Sequence, residues 1–206
     1  DYLYDSDASQ VGRNLEALVA RVASIGANTV FLQAFADPVG DGLIRQLYFS
    51  NRHLPVRADL FGSVATRLRN QLGVAVYAWM PVLGYALDST FERVVRVDAK
   101  SLVHPPMTDP NQYIRLSPFS KRVRETVGEI YEDLAGSADF DGVLFHDDAL
   151  LSDYEDASES ALAAYAQAGL PSTIHELRAD QDIFQRWTRY KTKALNDFTI
   201  ELLDCA

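Results

Sequence analysis

The 206-residue sequence predicts an α/β fold built on a parallel sheet. Two observations carry this. Segments with apolar residues every three or four positions alternate along the chain with short, nearly continuous apolar runs. Each run stops in turn chemistry or in a cluster of polar residues, as strands of a covered parallel sheet do.

The elements follow in order. Val11, Leu15, Leu18, Val22 and Ile25 give residues 9–25 the spacing of an amphipathic helix. The run NTVFLQAFAD, 28–37, reads as a strand covered on both faces, and DPVGDG, 37–42, as a turn. Asp59 is placed to cap a second helix, with Leu60, Val64, Leu68 and Leu72 as its stripe and Gly73 as its stop. VAVYAWMPVL, 74–83, is the next strand. Residues 84–116 show no period, contain HPPMTDPN, and read as a long loop of the length that serves lids and mobile segments. Ser117 and Pro118 open a third helix with the stripe Val123, Val127, Ile130 and Leu134, ended by Gly136. FDGVLF, 140–145, is the third clear strand. Helices are expected over 157–168 and 173–204, the second opening with the capping box Thr173-x-x-Glu176.

Composition narrows the function. The chain has 29 acidic against 19 basic residues, a formal net charge of −10. Phosphate binding needs clustered Lys and Arg, so nucleic acid is a poor partner, and a neutral or cationic substrate suits the sign. The single cysteine, Cys205, allows no disulfide within the chain. No apolar run is long enough to span a membrane, and the acidic opening DYLYDSD is not a signal peptide.

In parallel α/β folds, sites gather at the carboxyl ends of strands. Here the three strands end in Phe35-Ala-Asp37, in Tyr77-Ala-Trp79-Met-Pro81 and in His146-Asp147-Asp148. Acids with aromatics suit a sugar cleft, because pyranose rings stack on Trp and Tyr and their hydroxyls need acceptors. Glycosidic cleavage needs one protonated carboxyl and a second carboxylate as base or nucleophile. Repulsion between Asp147 and Asp148 would keep a proton on one of them. Trp79 serves core packing as readily as stacking, and Asp37 before Pro38 is good turn chemistry. Asp153 and Asp156 suit a loop and a helix cap, Asp156 together with Glu159. His53, His104, His146 and His175 lack ligand spacing, so no metal is expected. No Gly-rich phosphate loop and no G-x-S-x-G elbow is present, and no cofactor is expected.

Four stretches carry a resemblance: LQAFADPVGDGLIRQLYFSNRHLPVRADLF (32–61), YAWMPVL (77–83), RLSPF (115–119) and FDGVLFHDDALLSDYEDAS (140–158). They resemble the C-terminal domain of the bacterial poly-β-1,6-N-acetyl-D-glucosamine N-deacetylases of biofilm export systems. The resemblance implies a two-domain periplasmic parent, associated with the outer membrane and often lipid-anchored, that works beside an outer-membrane export porin. Its N-terminal half is a metal-dependent deacetylase, whose paired-histidine motif is absent from this chain. Its C-terminal half is a (β/α)₈ glycoside hydrolase that binds and cleaves the partially deacetylated polymer. Such a barrel needs about 250 residues. With three clear strands, and DYLY (1–4) as the end of an earlier one, residues 1–206 read as the first, N-terminal part of that barrel.

On this resemblance the acidic centre falls on Asp147 and Asp148, either of which is the general acid. Trp79 and Tyr77 are stacking platforms, and Tyr4, Asp5, Phe35, Asp37, Tyr48, His146 and Asp153 are subsite contacts. The acids that follow, through Asp156, are expected to set a field for the free amines of the deacetylated polymer. The alternative is a non-catalytic polysaccharide-binding module that guides the polymer during export.

Overall fold

A computed structural model describes residues 2–97 and 113–206. Helix α1, Ala8–Ile25, is capped by the Asp7 carboxylate, which accepts from the Ser9 amide. Strand β1, Thr29–Gln33, follows. The predicted strand over 28–37 then divides. After Ala34 the chain pairs antiparallel as β2, Phe35–Ala36, with β3, Gln46–Leu47. Helix α2, Phe61–Leu72, stops at Gly73 as expected, with φ +66. Its N-cap is Leu60 and no side chain caps it, so Asp59 does not take that role. Strand β4 is Ala75–Met80, shorter than the predicted run because Pro81 has no amide to donate to a ladder.

Helix α3, Lys121–Ala135, begins three residues later than Ser117 suggests, with Ser120 at its N-cap. The Ser117 hydroxyl is used elsewhere, donating to Asp156. Strand β5 is Gly142–Phe145. Helix α4, Glu159–Gln167, is capped by Ser158, not by Asp156. The single helix expected over 173–204 is two, α5, Ile174–Ala179, and α6, Gln181–Cys205. The chain breaks at extended Asp180, whose carboxylate accepts from the Asp182 and Ile183 amides and so starts α6 afresh. Thr173 caps α5 and its hydroxyl reaches Glu176, as the capping box predicts. Tyr2–Tyr4 form no strand, and Asp1 and residues 104–111 lie outside the described residues.

Strands β1, β4 and β5 form one parallel sheet in the order β1–β4–β5. The crossovers carry α2 and α3, as parallel strands require. Side chains alternate across the sheet. Val76, Ala78 and Met80 face the helices and are buried, with Val64, Ala65 and Leu68 of α2 and Val127 and Ile130 of α3 among the same core groups. The opposite face carries Phe31, Tyr77 and Leu144. Phe31 is 57% exposed and Leu144 37%. The expectation that these strands are covered on both faces is thus corrected: among the described residues, helices cover one face only. On the open face Tyr77 lies between Phe31 and Gly142 in register, and a β-carbon at Gly142 would sit 2.8 Å from the Tyr77 ring. A second, smaller core joins Tyr165, Ile174, Leu177 and Trp187 of the last three helices.

Candidate active site

The carboxyl ends of β1, β4 and β5 converge on an aromatic group. The Trp79 and His146 rings stack, 14° from parallel with centroids 5.6 Å apart. Phe35 meets both edge-on, at 5.5 Å and 5.8 Å. Asp147 follows directly, its side chain 94% exposed, with Oδ1 2.9 Å from His146 Nδ1. That contact is a close approach without hydrogen-bond alignment, since His146 Nδ1 has no hydrogen-bond partner among the described residues.

Asp148 turns the other way. It is fully buried, and its carboxylate accepts from three successive amides, Val82 at 3.0 Å and Leu83 and Gly84 at 2.6 Å. Three converging amides make an anion-binding concavity, and Asp148 fills it. The same turn is held on its carbonyl side, where Pro81 O accepts from the hydroxyls of Tyr85 at 2.7 Å and Tyr131 at 2.9 Å. Burial pushes the Asp148 carboxyl above its ordinary value, against the pull of the amides and of His146. Desolvation, not the expected repulsion from Asp147, is the leading cause of that shift.

The remaining predicted residues divide. Asp37 accepts from the Gly40 amide at 2.9 Å and the Gly42 amide at 3.1 Å, closing its own turn. Tyr77 lies one row below the strand ends, against Phe31. Tyr4 and Tyr48 line a cavity of about 270 Å³ beside the outer edge of β1, with the Arg57 guanidinium 4.2 Å from the Tyr4 ring. Asp5 is exposed and accepts from the Asp7 amide, leading the chain into α1. Asp153 is exposed on the loop after β5.

The acidic run does not act as one field. Glu155 is buried against Arg115, 3.0 Å away, and accepts from the Ser152 amide. Asp156 is buried among the Val95 amide, the Ser117 hydroxyl and Ser158. With Asp148 also internal, Asp147 and Asp153 are the acids of this run that meet solvent. The peptide bond between Glu155 and Asp156 is cis.

One residue at the site escaped the sequence reading. The Tyr113 hydroxyl is buried and without a hydrogen-bond partner among the described residues. Its ring packs where two glycines leave room: a β-carbon at Gly42 would lie 2.4 Å from the ring, and one at Gly84 3.0 Å from the hydroxyl and 3.2 Å from Asp148 Oδ2. Burial and the charges of Asp148 and Asp147 push the Tyr113 hydroxyl well above its ordinary value. Glycines at both contact positions were the available signal. Among the described residues, no group of three or more His, Cys, Asp or Glu side chains is placed to hold a metal ion.

This parallel α/β sheet with acids and aromatics at its strand ends is shared with a class of glycosyl hydrolase domains. The whole chain, residues 1–206, matches the model of hypothetical glycosyl hydrolase family 13, and the chain belongs to that family. It is 53% identical over 205 residues to the poly-β-1,6-N-acetyl-D-glucosamine N-deacetylase of Escherichia coli (strain K12), covering 98% of this chain and 30% of that protein. The protein of the same name from Escherichia coli O157:H7 matches with the same figures. The glycoside hydrolase domain of PgaB (BpsB) from Bordetella bronchiseptica superposes with a TM-score of 0.88 at 46% identity, over 99% of this chain and 58% of that one. The α-L-fucosidase isoenzyme 2 of Paenibacillus thiaminolyticus superposes with a TM-score of 0.62 over 94% of this chain and 28% of its own. At 13% identity that likeness is one of fold alone. The resemblance read from the four stretches therefore holds, and the domain is PgaB-like.

Proposed function

We propose that this chain is the N-terminal part of a (β/α)₈ glycosidase domain that binds and cleaves partially de-N-acetylated poly-β-1,6-N-acetyl-D-glucosamine. The observation that carries the reading is Asp147, an exposed carboxyl at the end of β5, beside the stacked Trp79 and His146 rings. In this assignment Asp147 gives its proton to the glycosidic oxygen as the C1–O bond breaks, and Trp79 offers a face to a sugar ring. Asp148 holds the turn after β4, and the Tyr113 ring packs beside it against Gly42 and Gly84. Hydrolysis also needs a carboxylate that attacks C1 or activates water. Of the acids at these strand ends, Asp37 and Asp148 are engaged by backbone amides. We assign that second carboxylate to strands outside these 206 residues, which would also cover Phe31, Tyr77 and Leu144.

Similarity to a deacetylase supports a deacetylated polymer as substrate. Its free amines are cationic, and the exposed acid Asp153 suits them. The same similarity supports a periplasmic, outer-membrane-associated setting, a lipid-anchored parent and an export porin as neighbour. Engagement of two of the three strand-end acids also favours a second reading, a binding module that guides the polymer without cutting it. Soluble partially deacetylated polymer incubated with the domain separates the two. Shorter oligosaccharides support the glycosidase, with deacetylated chains preferred at low salt. Tight binding with unchanged chain length supports the module.

A further inference from the structure

The loop that follows the strand-end acids is held in an unusual way. Four of its carbonyls are met by cations from three separate parts of the chain. Arg115 donates to Leu150 O and pairs with the Glu155 carboxylate. Arg178 of α5 donates to Asp153 O at 2.7 Å and to the Tyr154 hydroxyl at 3.1 Å. Lys191 of α6 donates to Ser152 O at 2.6 Å and Glu155 O at 2.7 Å, with its ammonium 3.6 Å from the centre of the Trp187 ring. Tyr154 O is taken by the Val97 amide at 3.0 Å. The two ends of the loop are tied by buried acids, Asp148 to the turn after β4 and Asp156 to Val95 and Ser117.

We infer that Arg115, Arg178 and Lys191 form a carbonyl clamp that positions the loop between Asp148 and Asp156, and with it the exposed carboxylates of Asp147 and Asp153. Lys191 and Arg178 are then positioning residues for the polymer site although they belong to helices outside the sheet. The inference deepens the glycosidase reading and rests on it for its effect on catalysis.

The energetics favour a positional role. Lys191 and Arg115 are only 4% and 5% exposed. Buried charges are seldom more stabilising than apolar side chains of the same size, because desolvation offsets the attraction. What they supply is direction: a cation on a carbonyl fixes that peptide plane, and four peptide planes are fixed here. Apolar packing of the last three helices against the loop would not orient those peptides. Lys191 also interrupts the otherwise apolar stripe Trp187, Leu195, Phe198 and Leu202 of α6, where a leucine would suit packing alone.

The test uses Arg178→Gln, at an exposed position, with Arg178→Lys as its conservative control, and Lys191→Met, which keeps the length of the stem. In the domain complete with its remaining strands, amide exchange is followed across the chain, and kcat and KM are measured on soluble partially deacetylated polymer. A hydrogen bond to a charged group contributes about 1.5–3 kcal/mol, so exchange in residues 149–156 should rise by roughly 10–100-fold while β4 and α3 stay protected. A small displacement of an acid is enough to lower kcat by about 100-fold, with KM little changed and partial recovery in Arg178→Lys. Unchanged exchange in the loop, or exchange raised equally throughout the chain, overturns the clamp. A clamp seen by exchange in a wild-type protein that cuts no polymer overturns its role in catalysis and the glycosidase reading, and leaves the loop anchor standing.

Discussion

Asp148 Oδ2 lies 2.6 Å from the amide nitrogen of Gly84, at the centre of the contacts that join β5 to the turn after β4. Replacing Asp148 with Ala leaves three buried amides without an acceptor. Leaving a buried donor unsatisfied costs about 1–3 kcal/mol, and three are left here, so Asp148→Ala should lower Tm steeply. Asp148→Asn retains an acceptor oxygen and should lower it less. Equal and small losses in thermal unfolding would contradict this anchoring.

Gly84 also marks the place where Tyr113 meets Asp148. A β-carbon there would come within 2.8 Å of Gly42 O as well as 3.0 Å of the Tyr113 hydroxyl. Overpacking of a filled site typically costs about 1–3 kcal/mol. Gly84→Ala should therefore destabilise the domain by about that amount and displace Tyr113, seen as weaker polymer binding. Tyr113→Phe, which removes only the buried hydroxyl, should keep both fold and binding. Wild-type stability and binding in Gly84→Ala, measured by calorimetry, would contradict this packing.

Glu155 and Asp148 predict opposite pH dependences. Burial pushes the Glu155 carboxyl up, but the Ser152 amide and the Arg115 guanidinium outweigh it and leave it below the ordinary 4.5. The unfolded chain then binds that proton more readily, so the Glu155 contribution is full above 4.5 and is lost as pH falls through the lower folded value. Asp148 is raised above 3.8, so its contribution is full below 3.8 and is lost as pH rises through the folded value. Thermal melts across the acid range should show a shallower low-pH fall in Glu155→Gln than in wild type. An unaltered acid limb would show that the Arg115 pair does not carry it.

The helices were legible where one apolar stripe decides the structure, as in Val123, Val127, Ile130 and Leu134 of α3, all fully buried. The ends were less so. Ser117 is a good capping residue, but its hydroxyl is drawn to Asp156, 39 positions away, and Ser120 takes the cap. The run through Ala34 reads as one strand because apolar character says nothing of which neighbour each half pairs with. The strand-end aromatics were legible for the same reason the strands were. The fate of the acids was not: Asp147 and Asp148 are adjacent and chemically alike, and only their neighbours in space make one 94% exposed and the other buried. Lys191 and Arg115, which neutralise the loop after β5, lie 36 and 40 positions from Glu155 on either side. The break of the apolar α6 stripe by Lys191 was the one local sign of that contact.

The central claim is that Asp147 works on the polymer while Asp148 holds the fold. The most direct measurement compares wild type and Asp147→Asn, in the domain complete with its remaining strands, by mass analysis of products from soluble partially deacetylated poly-β-1,6-glucosamine. Loss of a general acid typically slows a reaction by about 10²–10⁴-fold, and an exposed Asp→Asn change shifts stability by only about 0.5 kcal/mol. The account predicts short oligosaccharides from wild type, almost none from Asp147→Asn, and the same melting temperature and polymer binding in both. Equal product from the two proteins, or polymer left at full length by wild type, would contradict it.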